Sequence, residues 1–177
     1  KIGFLADFSG PLGEFGPEIQ KGVELAIEHI NAAGGVNGQP VTFVVGDDKT
    51  DATAATEEAR RLIEVEGVHA IVGPLASGIT IAVSESISGP AGVIVISPSA
   101  TSPAVTTAND SDFTFRSTTS DAAQGVVLAD LAKADGIEKV GILYLDDAYG
   151  QGLADAFEGA FGAAGVKKAA FQDGAAS

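Results

Sequence analysis

The sequence predicts an α/β protein in which a parallel β-sheet carries helices on both of its faces. Short apolar runs, typical of buried strands, alternate along the chain with stretches whose apolar residues recur at helical spacing. An alternation of strands and helices of these lengths is typical of parallel sheets. With 177 residues, of which 45% are hydrophobic, the chain can also bury a substantial core.

The first part of the chain has the predicted order β-α-β-α-β-α-β-β. We predict strands at residues 1–6, 41–45, 69–72, 92–96 and 113–116, the last of them at the edge of the sheet. We predict helices at residues 18–33, 52–66 and 77–88. Pro17 suits a first helical turn, and Gly34 with Gly35 is predicted to end the first helix. A long polar loop is predicted before the edge strand.

The strand and helix pattern restarts after Ser117, so we place a domain boundary near residues 117–120. The two predicted domains are residues 1–117 and residues 118–177. Ser120 is predicted to cap a helix that ends at Gly136. The second domain is predicted to consist of a helix at 121–134, a buried strand at 139–145, a loop at 146–152, a helix at 153–164 and a strand at 166–171. These elements are too few to bury both faces of a parallel sheet.

The charge of the chain excludes two classes of partner. The formal net charge is −14 and the isoelectric point is near 4.2. Nucleic acids and anionic membrane surfaces would repel such a chain, so neither is predicted as a partner. The acidity fits a halotolerant protein and a secreted protein equally well. Cysteine is absent, and His29 and His69 lie far apart in the sequence, so we predict no disulfide, no metal site and no cofactor.

The two ends of the sequence carry expectations of their own. The chain begins at Lys1 rather than Met, directly with strand-like sequence, as a mature or trimmed chain without a signal peptide would. It ends just after a predicted strand with no closing helix, so we expect a fragment of something longer. Apolar surface left uncovered on such a fragment is expected to favour self-association.

Two stretches with the same design are predicted to form an anion site. Residues 70–80 run from a short apolar strand through Gly73 and Pro74 into a helix, with Ser77 at the expected N-cap position. Residues 93–101 form another apolar run that ends in small hydroxyl residues, including Thr101. If the two strand ends are neighbours, their hydroxyls and free backbone N–H groups can hold a carboxylate together.

The loops after the predicted strands contain groups that suit a zwitterion, since ligands of open α/β sheets bind at the carboxyl ends of the strands. Each candidate has a plain alternative, and the sequence leaves both open. Ser77 could be only a cap and Thr101 only a turn residue, while Phe15 and Tyr149 could be ordinary packing. Asp121 could act only on the helix dipole.

No enzyme motif is present: the chain contains neither a nucleophile-elbow nor a phosphate-loop pattern. We therefore predict a binding protein rather than an enzyme. The enzyme-like or switch-like alternative is a receiver- or flavodoxin-like module whose acidic loops bind a divalent cation.

A series of motifs carries a family resemblance over the whole chain. In order, they are DFSGPLGEFG, GVELAIEHINAAGGVNG, DDKTD, AIVGPLASGIT, VIVISPSATSP, FTFRSTTSDAAQG and DDAYGQGL. Together they resemble the bacterial type I solute-binding proteins for branched-chain amino acids, the leucine/isoleucine/valine-binding family. The order and spacing of the set make the resemblance specific, whereas no single motif would be.

The resemblance implies two α/β lobes joined by three crossovers, with the ligand in a cleft between them. Residues 1–117 match most of the first lobe, and residues 118–177 match the start of a truncated second lobe. The implied function is that of a periplasmic or extracellular receptor for an ABC importer, with a lipid anchor as one option. It would pass a small amino acid or a similar carboxylate or amide to an ABC permease after lobe closure. A rival is a sensory domain with the same fold.

The resemblance also assigns roles to residues of the first lobe. Ser77 matches a serine that binds the ligand carboxylate. Ala100 matches a residue whose backbone carbonyl binds the ammonium, and Thr101 matches one whose hydroxyl and amide bind the carboxylate. Thr50 and Ala76 stand where some members carry a disulfide, so that bridge is absent here.

Three further positions follow from the same resemblance. Phe15 matches an aromatic residue near the ligand in the first loop. Tyr149 matches an aromatic residue of the facing lobe, and Asp121 matches a position that lines the cleft. The main acidic partner of the ligand ammonium in the family lies outside the matched stretch.

Overall fold

The computed structural model describes residues 1–172 and residue 174. Contacts within the chain group the residues into two compact units. The first unit is Lys1–Ala100 with Ala108–Ser117, and the second is Thr101–Thr107 with Thr118–Ser177. None of the helices in the described part of the chain is long and apolar enough to cross a membrane.

The first unit is built on a five-stranded, all-parallel sheet, which confirms the predicted fold class. Its strand order is β2-β1-β3-β4-β5, so the strand predicted at residues 113–116 does lie at an edge. The strands are β1 (Ile2–Ala6), β2 (Phe43–Asp47), β3 (Ala70–Val72), β4 (Ile94–Ser97) and β5 (Thr114–Arg116). Each lies within two residues of its predicted start.

The helices of the first unit follow the predicted pattern, with corrections at their ends. Their regular parts are α1 (Phe15–Ala32), α2 (Ala52–Arg60), α3 (Ser77–Val83) and α4 (Gly89–Ala91). A π-helical turn, Arg61–Val65, continues α2, and another, Ser84–Ser88, joins α3 to α4. The prediction that the third helix ends at residue 88 was wrong. Pro90 lies in α4, which forms the last three residues of one continuous helical stretch.

Alternating side chains of the strands form two cores, one on each face of the sheet. Leu5 and Ile71 pack with Leu62 and Val83 from the α2 and α3 side. On the opposite face, Phe4 and Ala6 belong to a cluster that includes Ile19 and Val23 of α1. Because successive residues of a strand point to opposite faces, this arrangement confirms the predicted helices on both faces.

The first helix ends as its glycines predict. Gly34 and Gly35 have φ angles of 104° and 73°, a left-handed region that glycine adopts without steric cost. The N–H of Gly35 donates to the Ile30 carbonyl at 2.9 Å, which satisfies one of the last carbonyls of the helix.

The second unit contains a helical pair and a two-stranded parallel sheet. Its elements are a 3-10 turn (Pro103–Thr107), α5 (Asp121–Ala134), β6 (Val140–Leu145), α6 (Ala148–Phe161), a 3-10 turn (Ala163–Gly165) and β7 (Val166–Phe171). The predicted cap is confirmed, because Ser120 Oγ accepts from the N–H of Ala122 at 3.2 Å. α5 and α6 are in close contact at Gly125, where a Cβ would lie 2.6 Å from the Cβ of Ala156.

Two predictions for the second unit were wrong. Residues 146–152 are not a loop, since α6 begins at Ala148. The Asp147 side chain accepts from the N–H of Gly150 at 2.7 Å and caps the helix, which begins five residues before the predicted start. β6 is also not a buried strand, because Leu143 is 72% exposed within the described residues. β7 is its partner there, and the two strands pair in register from Val140–Val166 to Leu145–Phe171.

Candidate functional site

The two hydroxyl-bearing strand ends lie side by side, as the sequence predicted. β3 and β4 pair in parallel, with Val72 opposite Ile96. Beyond the paired residues, Ser97 Oγ donates to the Pro74 carbonyl at 2.6 Å, and Ser99 Oγ donates to the Leu75 carbonyl at 2.8 Å. The turn after β4 is therefore bonded directly to the turn that leads from β3 into α3.

The turn after β3 requires glycine at position 73. Gly73 has a φ of 103°, and a Cβ there would lie 1.8 Å from the Leu5 carbonyl oxygen. Its N–H donates to the Ile96 carbonyl at 2.9 Å, which ties the turn to β4. The peptide bond to Pro74 is cis. The backbone can pass this close to β1 only because residue 73 has no side chain.

Ser77 is the first helical residue of α3 and not its N-cap, so that part of the prediction was wrong. Ala76 occupies the cap position, with extended backbone, and its carbonyl accepts the first helical bond from the Thr80 N–H at 2.9 Å. Ser77 is buried and lies in the first turn of α3. The N–H groups of a first helical turn have no carbonyl acceptors within the helix itself. Its role as a ligand contact stays a prediction.

Ala100 is held rigidly in the turn after β4. It is fully buried, and its N–H donates to Ser97 Oγ at 3.0 Å. Its carbonyl oxygen accepts from Nη1 of Arg116 at 3.3 Å. The atom that the family resemblance assigns to a ligand ammonium therefore already accepts a hydrogen bond from a guanidinium.

Thr101 and Asp121 are joined within the second unit. The Thr101 carbonyl accepts from the backbone N–H of Asp121 at 2.9 Å. Asp121 is the first residue of α5 and is fully buried, yet neither of its carboxylate oxygens has a hydrogen-bond donor among the described residues. A buried carboxylate without a donor is costly, so this side chain is suited to a cationic or hydrogen-bonding ligand group.

The two predicted aromatic contacts are exposed at helix starts. Phe15 begins α1 and is 56% exposed, and Tyr149 stands in the first turn of α6 and is 44% exposed. Within the second unit, Tyr149 also lines an apolar cavity of about 380 Å³ with Leu145 and Leu153. Neither ring is fully buried in a core, which leaves both with surface that a ligand can cover.

The first two loops are tied together by aspartates. Asp7 is buried and accepts hydrogen bonds from the N–H groups of Ser9 and Leu12 and from Thr50 Oγ1, the last at 2.6 Å. Burial raises the pKa of Asp7, but these hydrogen bonds outweigh it and lower the pKa below its usual value. Asp47 accepts from the Phe8 N–H and from Ser9 Oγ, so both loops share one network.

Asp48 differs from its two neighbours in this network. Burial, followed by the charges of Asp7 and Asp47, raises its pKa to about 6, although its Oδ1 accepts from the Thr50 N–H at 2.8 Å. Its Oδ2 has no donor among the described residues. The part of the chain that the structure describes has no group of three or more histidine or acidic side chains suited to a metal ion. Apart from Asp48 Oδ2, the carboxylate oxygens of Asp7, Asp47 and Asp48 accept hydrogen bonds from protein donors.

Sequence reasoning missed Arg116 and Asp7. Arg116 ends the edge strand within a quoted motif, and a cation at the carboxyl edge of a sheet is conspicuous in a chain with 10 basic residues against 24 acidic ones. Asp7 directly follows β1, at the edge where ligands of such sheets bind. Both signals were in the sequence, but the contacts that give them meaning join distant segments.

Comparison with known proteins agrees with the resemblance. A family profile described as periplasmic binding protein matches residues 1–174. A substrate-binding protein of a chemotactic signal transduction system, BasB of Halobacterium salinarum, is 36% identical over 98% of this chain and 44% of its own length. A Leu/Ile/Val-binding protein homolog of Brucella melitensis is 35% identical over 93% of this chain and 44% of its own length.

Solved structures give the same result. The branched-chain amino acid transporter substrate-binding protein LivJ from Streptococcus pneumoniae, solved in complex with isoleucine, superposes with a TM-score of 0.84. It is 34% identical, and the match covers 98% of this chain and 50% of that one. The chain thus spans about half the length of the relatives it matches. Its sequence and its fold together place it in the periplasmic binding protein family.

Proposed function

We propose that this chain provides ligand-binding residues of an extracytoplasmic solute-binding protein for a branched-chain or other small amino acid. The observation that carries the proposal is the bonded pair of strand ends, where Ser97 and Ser99 link the turn after β4 to the turn before α3. The relatives support the ligand class, because several are named as Leu/Ile/Val-binding proteins. An ABC permease of the inner membrane is the proposed partner, and the binding protein is proposed to act in the periplasm or outside the cell.

The ligand carboxylate is proposed to bind Ser77 and Thr101. Ser77 belongs to the first turn of a helix, where backbone N–H groups and the positive end of the dipole favour an anion. Thr101 follows the fixed Ala100 turn and adds a hydroxyl and an N–H. A carboxylate accepts several such hydrogen bonds at once, and charge-assisted bonds are the stronger ones.

The rest of the ligand is proposed to meet three other side chains. Asp121 supplies a buried carboxylate that has no donor among the described residues and can pair with an ammonium. Phe15 and Tyr149 supply exposed aromatic surface for an apolar side chain. Carboxylate, ammonium and side chain of an amino acid each have a chemically matched residue in this set.

The test is calorimetric titration of L-leucine into the complete protein in which this sequence occurs. Replacing Ser77 and Thr101 by Ala together is expected to weaken binding at least tenfold, about the effect of losing one charge-assisted hydrogen bond. Ser86→Ala with Thr107→Ala is the matched control, because each hydroxyl donates to a carbonyl of its own helical turn, that of Ala82 and that of Ala104. Unchanged affinity in the Ser77/Thr101 variant would refute the assignment.

A second function, ligand sensing, is favoured by one relative. BasB is named as part of a chemotactic signal transduction system, and the same fold and binding site would serve a sensor. The two functions differ in the protein that recognises the ligand-bound form. Cross-linking in cells with ligand present is expected to capture a permease for a transport protein and a transducer for a sensor.

A further inference from the structure

The connection between α1 and β2 contains a small hairpin turn at the surface. Val36 and Gln39 form an antiparallel bridge, in which each N–H donates to the other residue's carbonyl, at 2.9 Å and 3.0 Å. The two residues between them, Asn37 and Gly38, have φ angles of 52° and 75°. Positive φ at both central residues is typical of a type I′ turn, which favours the pair Asn-Gly.

The same pair of residues places a nucleophile next to an electrophile. If the backbone nitrogen of Gly38 attacks the side-chain amide carbon of Asn37, a five-membered ring closes. Glycine has no side chain to obstruct that approach. Among the described residues, no heavy atom other than those of its chain neighbours lies within 4 Å of the place where a Cβ at Gly38 would stand. Both residues are exposed, so water can reach the ring.

The other two asparagines of the chain, Asn31 and Asn109, lack this combination. The Asn31 side chain is held at both of its ends, because Nδ2 donates to the Val41 carbonyl at 2.9 Å and Oδ1 accepts from the Val41 N–H at 2.7 Å. Asn109 is exposed, but the residue after it is Asp110, whose side chain crowds the nitrogen that would attack. Only Asn37 is both accessible and followed by glycine.

We propose that Asn37 is a modification site, at which asparagine converts without an enzyme to aspartate or isoaspartate through a cyclic imide. The Gly38 nitrogen gives its proton to solvent base and forms a bond to Cγ of Asn37. The bond from Cγ to Nδ2 breaks, and Nδ2 leaves as ammonia. Water then opens the ring at either carbonyl. One water is consumed and one ammonia released, and a chain of net charge −14 gains one more negative charge at neutral pH.

The two products have different consequences for the turn. Aspartate leaves the main chain unchanged, and the pair Asp-Gly also suits a type I′ turn. Isoaspartate routes the main chain through the former side chain and adds one carbon atom to it, so a two-residue turn no longer closes the bridge between Val36 and Gln39. The contact between Asn31 and Val41 lies outside the lengthened segment. Isoaspartate is therefore expected to open the hairpin without releasing the start of β2.

The first test follows all three asparagines by peptide mass spectrometry while the complete protein is incubated, folded, at mildly alkaline pH. Asn37 is expected to react at least about tenfold faster than Asn31 and Asn109, a ratio that corresponds to about 1.4 kcal/mol in activation free energy. In urea, the rate at Asn31 is expected to rise more than the rate at Asn37, because Asn31 loses both of its side-chain contacts. If Asn37 reacts only in urea, the closed turn protects it and the inference is wrong.

The second test separates chemistry at the attacking nitrogen from opening of the turn. Gly38→Ala adds a methyl group beside that nitrogen and is expected to slow the reaction about tenfold. A φ of 75° strains alanine, so the same change weakens the turn and would speed a reaction that depended on opening alone. Gly34→Ala is the matched control, since Gly34 has a φ of 104° and equally open surroundings but lies outside the reacting pair. A Gly38→Ala rate that equals or exceeds the unchanged rate would overturn the inference.

The third test concerns the structural consequence of isoaspartate. The isoaspartate form is separated by chromatography and identified with a methyltransferase specific for isoaspartate. Amide hydrogen exchange at Val36 and Gln39 is expected to be faster in this form than in the Asn37→Asp variant, which carries the same charge on an unchanged main chain. The Val41 amide should stay protected in both. Equal exchange at Val36 and Gln39 in the two forms would show that isoaspartate leaves the hairpin closed, against the inference.

Discussion

The two units bury their apolar side chains to different degrees. In the first, five strands are covered by separate cores on both faces, and Phe4, Leu5 and Ala6 are fully buried in consecutive positions. In the second, two strands pair with each other, and apolar side chains remain exposed on α5 and β6 among the described residues. They include Val126, Val127, Leu128, Leu131 and Leu143.

The exposed apolar residues of the second unit indicate surface that other protein segments would normally cover. The exposed residues of α5 include three consecutive ones, so they cannot all lie on a single helix face. A helix that carries apolar residues on all sides is typically covered by other protein segments on more than one side. The self-association expected from the sequence would cover such surface and stays a prediction.

The largest effect that would test this comparison is the loss of a leucine from each unit. Leu62→Ala removes a fully buried side chain from the first core and is expected to cost about 3 kcal/mol of unfolding free energy through lost burial and a residual cavity. Leu143→Ala removes a side chain that is 72% exposed and should cost less than about 0.5 kcal/mol.

Both free energies are measured by urea unfolding, with circular dichroism and fluorescence followed together. A cost for Leu143→Ala that approaches the cost for Leu62→Ala would show that Leu143 is covered in solution. Sedimentation of the same samples would then tell whether a second copy of the chain covers it.

The next effect is a pH dependence confined to the first unit. The pKa of Asp48 is raised from 3.8 to about 6, so the folded protein binds this proton more tightly than the unfolded chain does. Unfolding free energy is therefore expected to rise as the pH falls from 7 to about 4. Below that range it should fall, because the lowered pKa values of Asp7 and Asp47 make their protonation unfavourable to folding.

Asp48→Asn is the variant that isolates this effect. It keeps an acceptor for the Thr50 N–H and removes the buried charge, so it is expected to abolish the gain between pH 7 and pH 4. Since one pKa unit is about 1.4 kcal/mol, stabilisation at pH 7 of about 1–3 kcal/mol is the expected range. Asp51→Asn, at the exposed cap of α2, is the control. An unchanged pH profile in Asp48→Asn would contradict the assignment.

The smallest effect compares one helix cap in each unit. Asp51 accepts from the Ala54 N–H at 2.8 Å, and Asp147 accepts from the Gly150 N–H at 2.7 Å, so the two caps are closely matched. Each replacement by Ala is expected to cost about 1 kcal/mol. Amide hydrogen exchange, measured residue by residue, shows which unit loses stability. Faster exchange in both units from either variant would show that they unfold together, and faster exchange in one unit would show that they unfold separately.

Much of the fold followed from local sequence, and the failures have specific causes. The ends of strand β3 and helix α1 were predicted because Gly73 and Gly34 interrupt the apolar pattern, and both glycines adopt positive φ angles. The N-cap of α3 was predicted one residue too late, at Ser77, because the hydroxyl of serine suggested a cap. The extended backbone of Ala76, which has no capping side chain, occupies that position instead. The start of α6 was missed because Asp147 looked like one more loop acid and is in fact a cap.

The candidate site divides in the same way. The residue types that could bind an amino acid were visible in the loops after the strands, since the chemistry of a hydroxyl, carboxylate or aromatic side chain is known from the residue type alone. Their partners were not visible. Nothing local to Ala100 reveals that Arg116, sixteen residues away, donates to its carbonyl. Nor does the sequence around Asp121 reveal that this side chain is buried with no donor among the residues that the structure describes.

By itself the sequence determined the alternation of strands and helices, the parallel sheet and the chemistry available at its carboxyl edge. It did so because periodicity, glycine and proline act over a few neighbouring residues. Tertiary structure alone decided that Ser97 joins two turns, that Thr50 bonds Asp7, and that Asp48 carries a raised pKa. Burial and pairing between distant segments fix those properties, and both exist only once the chain has folded.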